Sequence, residues 1–282
     1  MNYLLIENHY KKVIQFPIFE YEDIEINYLK RGKGSPLLML QGLGQTIDSW
    51  TFQIPYFKRK MMVIALDNRG VGESSRPNYS YTMEMFVEET KALLDYLDIN
   101  EKVHLIGVSM GGMIAQNFVL KYPEKVKTLI LLATSAKMDP YPLIEEYKLL
   151  EKRDVEDAYK KKLELMFSDS FIENVKNDEK LNDLLKKKLV IESTTTIQDY
   201  INRGAAIAGH DTHNDLQKIT IPTLIMAGTK DKIVPFKESE YLHAKIPNST
   251  LISLENYGHG SLLVEEAQKI NEMIWDFIKT YI

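Results

Sequence analysis

The sequence predicts an α/β protein with a mostly parallel central sheet and a helical cap inserted after the sixth main strand. Strand-like apolar runs alternate with helical patterns along most of the chain. Three runs, Leu37–Leu40, Val63–Leu66 and Leu129–Leu132, are nearly continuous in apolar residues, as is typical of strands covered on both faces. The alternation stops between about residues 136 and 217, where the chain is strand-free and rich in Lys, Glu and Leu.

The predicted elements follow one another in the order that a parallel sheet requires. Strand-like runs occupy Ile24–Leu29, Pro36–Leu40, Met61–Leu66, Val103–Val108, Thr128–Ala133, Thr223–Ala227 and Thr250–Leu254. Helical patterns occupy Met83–Leu97, Met110–Lys121, Lys237–Ala244 and Leu262–Tyr281. Because parallel strands need crossover connections, this alternation favours a parallel sheet. A first strand pair at residues 16–21 and 24–30 alternates apolar with charged residues and is expected to form an antiparallel edge.

The strand-free stretch defines the predicted domain organisation. We expect a core of residues 1–135 and 218–282, with a helical cap at residues 136–217. Helical spacing is visible there at Leu143, Tyr147 and Leu150. Two lysine clusters, Lys160–Lys162 and Lys186–Lys188, are accompanied by about as many acids, which favours solvated helix faces over a docking patch for an acidic carrier.

Composition restricts the class of protein. A chain of 282 residues can hold one large core and a modest insertion. The net charge of −5 argues against a nucleic-acid partner, and the absence of cysteine excludes disulfides and thiolate chemistry. Charge interrupts the N-terminus too early for a secretory segment, and no run approaches the roughly 18 apolar residues of a membrane span. We therefore expect a soluble cytoplasmic protein with no membrane partner.

The most informative motif is Gly107–Gly112, with the sequence GVSMGG and Ser109 at its centre. It lies between a predicted strand and a predicted helix, which is the context of a G-x-S-x-G nucleophile elbow. Small flanking residues are needed because the serine occupies a sharp, strained turn. The free N–H groups at the start of the helix favour an anion beside the serine.

A serine nucleophile needs a general base, and His259 is the best candidate among six histidines. It lies in a glycine-flanked loop between the last strand and the last helix, at the carboxyl edge of a parallel sheet. The other five are less suitable: they lie near the terminus (His9), inside a strand (His104), at the far edge of the insertion (His210 and His213) and on a surface helix (His243).

The acid that orients the histidine is expected at another strand end. Asp231 follows a buried-strand run and a glycine turn, so the chain order is Ser109, Asp231, His259. This is the order of serine, acid and histidine in α/β-hydrolases. Asp211 and Asp215 are weaker alternatives because no strand delivers them to that edge.

Two backbone donors are expected to bind the oxyanion. One is the N–H of Met110, directly after the nucleophile. The other is the N–H of Leu43, between two glycines that permit an unusual turn. The segment of residues 67–75 contains Gly70 and Gly72 but lacks the third glycine of a dinucleotide-binding loop. We therefore expect a structural loop that supports the oxyanion side of the site.

Five residues with aromatic or thioether side chains are the candidates for an acyl pocket. They are Trp50, Met138, Tyr141, Phe167 and Phe171. The alternative for each is simple core packing.

The chain resembles the α/β-hydrolase fold superfamily over nearly its whole length. The elements that carry the resemblance are Gln41–Gly44, Asp67–Ser74, Gly107–Gly112, Ile221–Thr223 leading to Asp231, and Gly258 with His259. The elbow looks like that of 3-oxoadipate enol-lactonases and related carboxylesterases, which implies that the cap covers the active site. Many relatives have histidine where this chain has Gln41, so the polar lining of the entrance is expected to differ. A serine at 109 argues against the carboxylate chemistry of haloalkane dehalogenases and epoxide hydrolases.

The expected function is hydrolysis of a small-molecule carboxylic ester or lactone through an acyl-enzyme, with no metal or organic cofactor. One alternative is carbon–carbon bond hydrolysis of a vinylogous diketone by the same triad. Another is a ligand-binding protein on the same fold, without catalysis. The acyl chain length, the alcohol and the oligomeric state are not predicted.

Overall fold

The computed structural model describes residues 16–191 and 194–282. In these residues eight strands form one sheet with the order β1-β2-β4-β3-β5-β6-β7-β8. The strands are β1 (Ile18–Tyr21), β2 (Ile24–Arg31), β3 (Pro36–Leu40), β4 (Met62–Leu66), β5 (Val103–Val108), β6 (Val126–Leu132), β7 (Thr223–Gly228) and β8 (Ser249–Leu254). His9, one of the six histidines considered as a general base, lies outside the described residues.

The pairing directions confirm the predicted fold class. β1 pairs antiparallel with β2, and β2 pairs antiparallel with β4. The remaining neighbours are parallel. Every residue of β3, β5 and β7 is buried, as expected for strands covered on both faces.

Helices cover both faces of the sheet. They are α1 (Gln53–Phe57), α2 (Met83–Tyr96), α3 (Met110–Lys121), α4 (Tyr141–Glu151), α5 (Val155–Met166), α6 (Asp169–Asn177), α7 (Glu179–Lys186), α8 (Ile197–Ala208), α9 (Phe236–Lys245), α10 (Ser261–Val264) and α11 (Ala267–Ile278). Phe86 of α2 and Phe118 of α3 pack in the hydrophobic cluster on one face. Phe57 of α1 and Ile274 of α11 pack in the cluster on the other. The parallel strands at the centre of the sheet are therefore covered by helices on both faces, and their carboxyl ends meet at one edge of the sheet.

Helices α4–α8, here called the cap, lie between β6 and β7 in the chain. Four of them begin at side-chain N-caps: Asp154, Ser168, Asp178 and Thr196 each accept a backbone N–H of the first turn. Thr196 and Asp199 form a reciprocal capping box. Local polar residues thus determine where these short helices start.

The cap has its own hydrophobic cluster, which includes Leu163, Phe167 and Leu181. The two chain segments that join it to the core meet at Lys137 and Asp211, which form an isolated β-bridge and a 2.8 Å ion pair. The domain boundaries at 136 and 217 remain a prediction. Within the described part of the chain, no helix has the length and apolar character needed to cross a bilayer.

Candidate active site

Ser109 occupies a strained turn between β5 and α3. Its backbone has φ 54° and ψ −121°, a region that non-glycine residues rarely adopt. A Cβ atom on Gly107 would lie 2.3 Å from the carbonyl oxygen of Gly111, and one on Gly111 would lie 2.0 Å from that of Leu40. Both glycines of the motif are therefore required by close backbone packing.

Hydrogen bonds from neighbouring strands hold this turn in place. The N–H of Ser109 donates to the carbonyl of Leu132 (2.9 Å), and the hydroxyl of Thr134 donates to the carbonyl of Ser109 (2.7 Å). Met110 is the first residue of α3, so its N–H has no partner within the helix. A strained turn fixed in this way presents the serine beside a helix N-terminus.

Asp231 and His259 form a buried pair. Asp231 follows β7, His259 follows β8, and each is less than a tenth exposed. The carboxylate Oδ2 lies 2.7 Å from His259 Nδ1. The other oxygen, Oδ1, accepts the backbone N–H groups of Ile233 and Val234, each at 2.8 Å. With Nδ1 bound to the acid, Nε2 is the ring nitrogen left for chemistry.

The loop that carries His259 is anchored to the cap. The N–H of Gly260 donates to the carbonyl of Met166 at the end of α5 (2.7 Å). A Cβ atom on Gly260 would lie 3.2 Å from the Phe167 ring. Ser168 donates through its N–H and its hydroxyl to Glu265, both at 3.0 Å. The position of the histidine therefore depends on cap residues.

The loop after β3 lies against the nucleophile. A Cβ atom on Gly42 would lie 3.2 Å from Cβ of Ser109, so a side chain here would crowd the serine. The N–H of Gly42 donates to the Gln45 side chain (2.9 Å). Farther along, the N–H of Ile47 donates to the buried carboxylate of Asp67 (2.7 Å), which begins the loop of residues 67–75. The neighbouring strand end thus tethers the segment that contains Leu43.

A cavity of about 790 Å³ opens between the core and the cap. Ser109 and His259 both line it, as do Gly42 and Leu43. The cap contributes Leu143, Tyr147, Lys162, Met166, Phe167, Leu181, Leu185 and Tyr200, among others. The structure therefore brings the predicted nucleophile, the predicted base and the predicted oxyanion loop into the lining of one cavity.

Of the predicted pocket residues, Phe167 lines this cavity. Gln41, Trp50, Met138, Tyr141 and Phe171 are absent from its described lining. Trp50 is fully buried in the core, and Tyr141 is 51% exposed on α4. Met138 packs against the core, and Phe171 packs in the cluster of the cap.

Gln41 differs from the expectation of a polar entrance residue. Its side chain is fully buried, and its amide donates to the carbonyl of Leu66. This bond joins the ends of β3 and β4, so Gln41 fixes the start of the oxyanion loop from within the core.

Several polar residues of the cavity were not predicted from the sequence, among them Tyr147, Tyr200 and Lys162. The rings of Tyr147 and Tyr200 lie 4.6 Å apart. Lys162 donates to the carbonyl of Leu189 (2.6 Å), and burial lowers its pKa. Lys162 is partly buried, whereas its cluster was expected to be a solvated helix face. Helical periodicity gave no signal, because it does not reveal which face of a cap helix meets the core.

The other four histidines that the structure describes lie in the core or on the surface, away from the cavity lining. Burial lowers the pKa of His104 and of His210 to about 4, so both are neutral at neutral pH. His213 lies 2.9 Å from Asp211 in an exposed pair. His243 lies 2.9 Å from the hydroxyl of Ser249, also on the surface. None of these four is part of the described cavity lining.

Comparison with known proteins matches residues 35–266 to the family described as the alpha/beta hydrolase fold. The chain belongs to this family. It is 28% identical to 3-oxoadipate enol-lactonase 2 of Acinetobacter baylyi, an alignment that covers 94% of this chain and 99% of that protein. It is 25% identical to 2-hydroxy-6-oxo-6-(2'-aminophenyl)hexa-2,4-dienoic acid hydrolase of Metapseudomonas resinovorans, over 85% of this chain and 83% of that protein.

Among solved structures, an esterase from Exiguobacterium antarcticum is similar, with a TM-score of 0.80 and 26% identity. The match covers 94% of this chain and 99% of the esterase. The predicted resemblance and the predicted fold class are confirmed. Family membership and these relatives support a hydrolase that acts on a small molecule.

Proposed function

We propose that this alpha/beta hydrolase is a serine hydrolase of carboxylic esters or lactones. The observation that carries the proposal is that His259, buried and paired with Asp231, lines the same cavity as the strained Ser109. The three groups have the roles of base, orienting acid and nucleophile in a catalytic triad.

The first half of the reaction forms an acyl-enzyme. Nε2 of His259 takes the proton of the Ser109 hydroxyl while the oxygen attacks the carbonyl carbon. Asp231 stabilises the imidazolium. The N–H groups of Leu43 and Met110 donate to the oxyanion of the tetrahedral intermediate. The intermediate collapses when His259 protonates the departing alcohol oxygen.

The second half releases the acid. A water molecule gives a proton to Nε2 of His259 and attacks the acyl carbon, which forms a second tetrahedral oxyanion at the same donors. Collapse breaks the bond to Ser109 and returns the proton to its hydroxyl. These steps need no metal or organic cofactor. The size of the cavity, about 790 Å³, suits a small-molecule substrate.

Carbon–carbon bond hydrolysis of a vinylogous diketone is the second candidate. It is favoured by the relative named as a hexadienoic acid hydrolase. The same triad serves both reactions, so the cap decides between them. Turnover of a panel of esters and lactones, compared with that of a vinylogous diketone, separates the two.

The test of the triad is the Ser109→Ala substitution, assayed on p-nitrophenyl butyrate. We expect kcat to fall at least about 10⁴-fold, because the substitution removes the oxygen that forms the acyl-enzyme. Ser239→Ala is the matched control, since Ser239 is a buried serine of α9 outside the described cavity lining. Retained activity in Ser109→Ala would refute the proposal.

A further inference from the structure

A buried arginine of the cap contacts the loop that contains Leu43. We propose that Arg203 of α8 is a positioning residue that orients and polarises the peptide group between Gly42 and Leu43. This inference rests on the proposed function, in which the N–H of that peptide group is an oxyanion donor.

Arg203 is fully buried, and its Nη2 donates to the carbonyl of Gly42 (3.2 Å). The same nitrogen lies 3.7 Å from the sulfur of Met110, the residue that carries the other proposed donor. Nε and Nη1 have no hydrogen-bond partner in the part of the chain that the structure describes. The Arg203 stem packs on Gly70, where a Cβ atom would lie 3.2 Å from Cδ of the arginine.

No carboxylate among the described residues pairs with this guanidinium. Asp199, one turn earlier on α8, pairs with Arg76 instead (3.2 Å). Burial lowers the pKa of Arg203 to about 10, so it carries a positive charge at neutral pH. A buried cation with no directly bonded carboxylate is costly, and longer-range attraction to Asp199 and Asp67 offsets part of this cost. A side chain needed only for packing between cap and core would be apolar.

The geometry of the peptide group explains what this charge does. In a trans peptide the C=O and N–H groups point in opposite directions within one plane. The carbonyl of Gly42 accepts from Arg203 and also from the N–H of Gln45 (3.2 Å), so the cation acts together with this turn bond to fix the direction of the Leu43 N–H. The cation also draws electron density toward the carbonyl and strengthens the N–H as a donor. Gly42 and Leu43 line the cavity and Arg203 does not, so the guanidinium lies behind the peptide group.

Other contacts from the same part of the cap hold this loop. The hydroxyl of Thr195 donates to the carbonyl of Gly44 (3.3 Å). A Cβ atom on Gly44 would lie 2.6 Å from the ring of Tyr200 on α8. The start of α8 thus fixes the shape of the loop, and Arg203 adds the charge.

The test compares Arg203→Gln, which keeps a hydrogen-bond donor but removes the charge, with Arg203→Lys, which keeps the charge. On p-nitrophenyl butyrate we expect kcat of Arg203→Gln to fall about tenfold or more with KM nearly unchanged, since deleting a whole oxyanion donor costs about 10²–10³. Arg203→Lys should recover most of this loss. Affinity for an aryl trifluoromethyl ketone, whose adduct with the serine carries an oxyanion, should fall by the same factor as kcat.

Arg76→Met is the matched control, because Arg76 joins a core loop to the start of α8 without contacting Gly42. Its kcat should stay within about threefold of wild type. The proposal is overturned if Arg203→Gln keeps the wild-type kcat, or if kcat falls while affinity for the ketone does not. An equal loss in Arg76→Met would also overturn it, since the effect would then come from cap placement. Failure of the proposed function can be told apart from failure of this inference, because in the first case the wild type itself would neither hydrolyse the ester nor bind the ketone.

Discussion

Asp231→Asn should abolish most activity while leaving the fold intact. In the wild type, Oδ1 of Asp231 accepts two backbone N–H groups and Oδ2 faces Nδ1 of His259. An asparagine amide has one oxygen, and the two N–H donors will hold it at the Oδ1 position. The amide NH₂ then faces Nδ1, which forces the proton onto Nε2. His259 can no longer accept the proton of Ser109.

The structure gives the size of this effect. Turning the amide around would leave two buried donors unsatisfied, at about 1–3 kcal/mol each. A cost of roughly 2–6 kcal/mol corresponds to about 30-fold to 26,000-fold less of the productive tautomer, at 1.36 kcal/mol per tenfold. Loss of the charge beside the imidazolium adds to this. We therefore expect kcat/KM to fall by at least about 10³-fold.

The assay is hydrolysis of p-nitrophenyl butyrate, with the thermal midpoint of unfolding as the test of folding. Asp211→Asn is the matched control, since Asp211 also contacts a histidine Nδ1 (2.9 Å) but is exposed and outside the described cavity lining. It should retain activity within about twofold. A loss of less than tenfold in Asp231→Asn would refute this account of the tautomer.

Three further predictions concern strain, acid stability and the oxyanion loop. In urea titrations the free energy of unfolding of Ser109→Gly should exceed that of Ser109→Ala by about 1–2 kcal/mol, because glycine adopts a φ of 54° without the strain that a Cβ atom causes. Equal stability of the two variants would contradict this. Burial lowers the pKa of His104 and His210 to about 4 from 6.5, so the unfolded chain binds protons first as pH falls below 6.5. Between pH 7 and pH 5 the wild type should lose about 2 kcal/mol more unfolding free energy than His104→Gln or His210→Gln does in urea titrations, and the same pH dependence in wild type and variants would count against it. Gly44 has a φ of 72°, and a Cβ atom there would lie 2.6 Å from Tyr200. Gly44→Ala should therefore lower the free energy of unfolding by about 1–3 kcal/mol and also lower kcat. Wild-type values of both would show that the loop tolerates a side chain.

The sheet was predictable because its signals are local. Buried parallel strands are continuously apolar, and β5 with the elbow after it carries both the strand signal and the glycines that a strained turn needs. Asp231 and His259 could be located because parallel strand ends meet at one edge. The pairing of β1 and β2 followed from their alternation of apolar and charged residues.

The lining of the cavity could not be derived in the same way. Trp50 follows the oxyanion loop in sequence, yet its ring packs into the core. Arg203 and Lys162 have the spacing of ordinary helix residues, and only the docking of the cap buries them. Long-range packing of helices on the sheet decides these contacts, and helical periodicity carries no information about it.

The most direct measurement is labelling with a fluorophosphonate probe, followed by mass spectrometry of the peptides. Such probes react with a serine that a base has activated. We expect one covalent adduct per chain on Ser109, none in Ser109→Ala, and strongly slowed labelling in Asp231→Asn. An unlabelled wild-type chain would contradict the catalytic claim and favour a ligand-binding protein on this fold, and an adduct on another serine would contradict the assignment of the nucleophile.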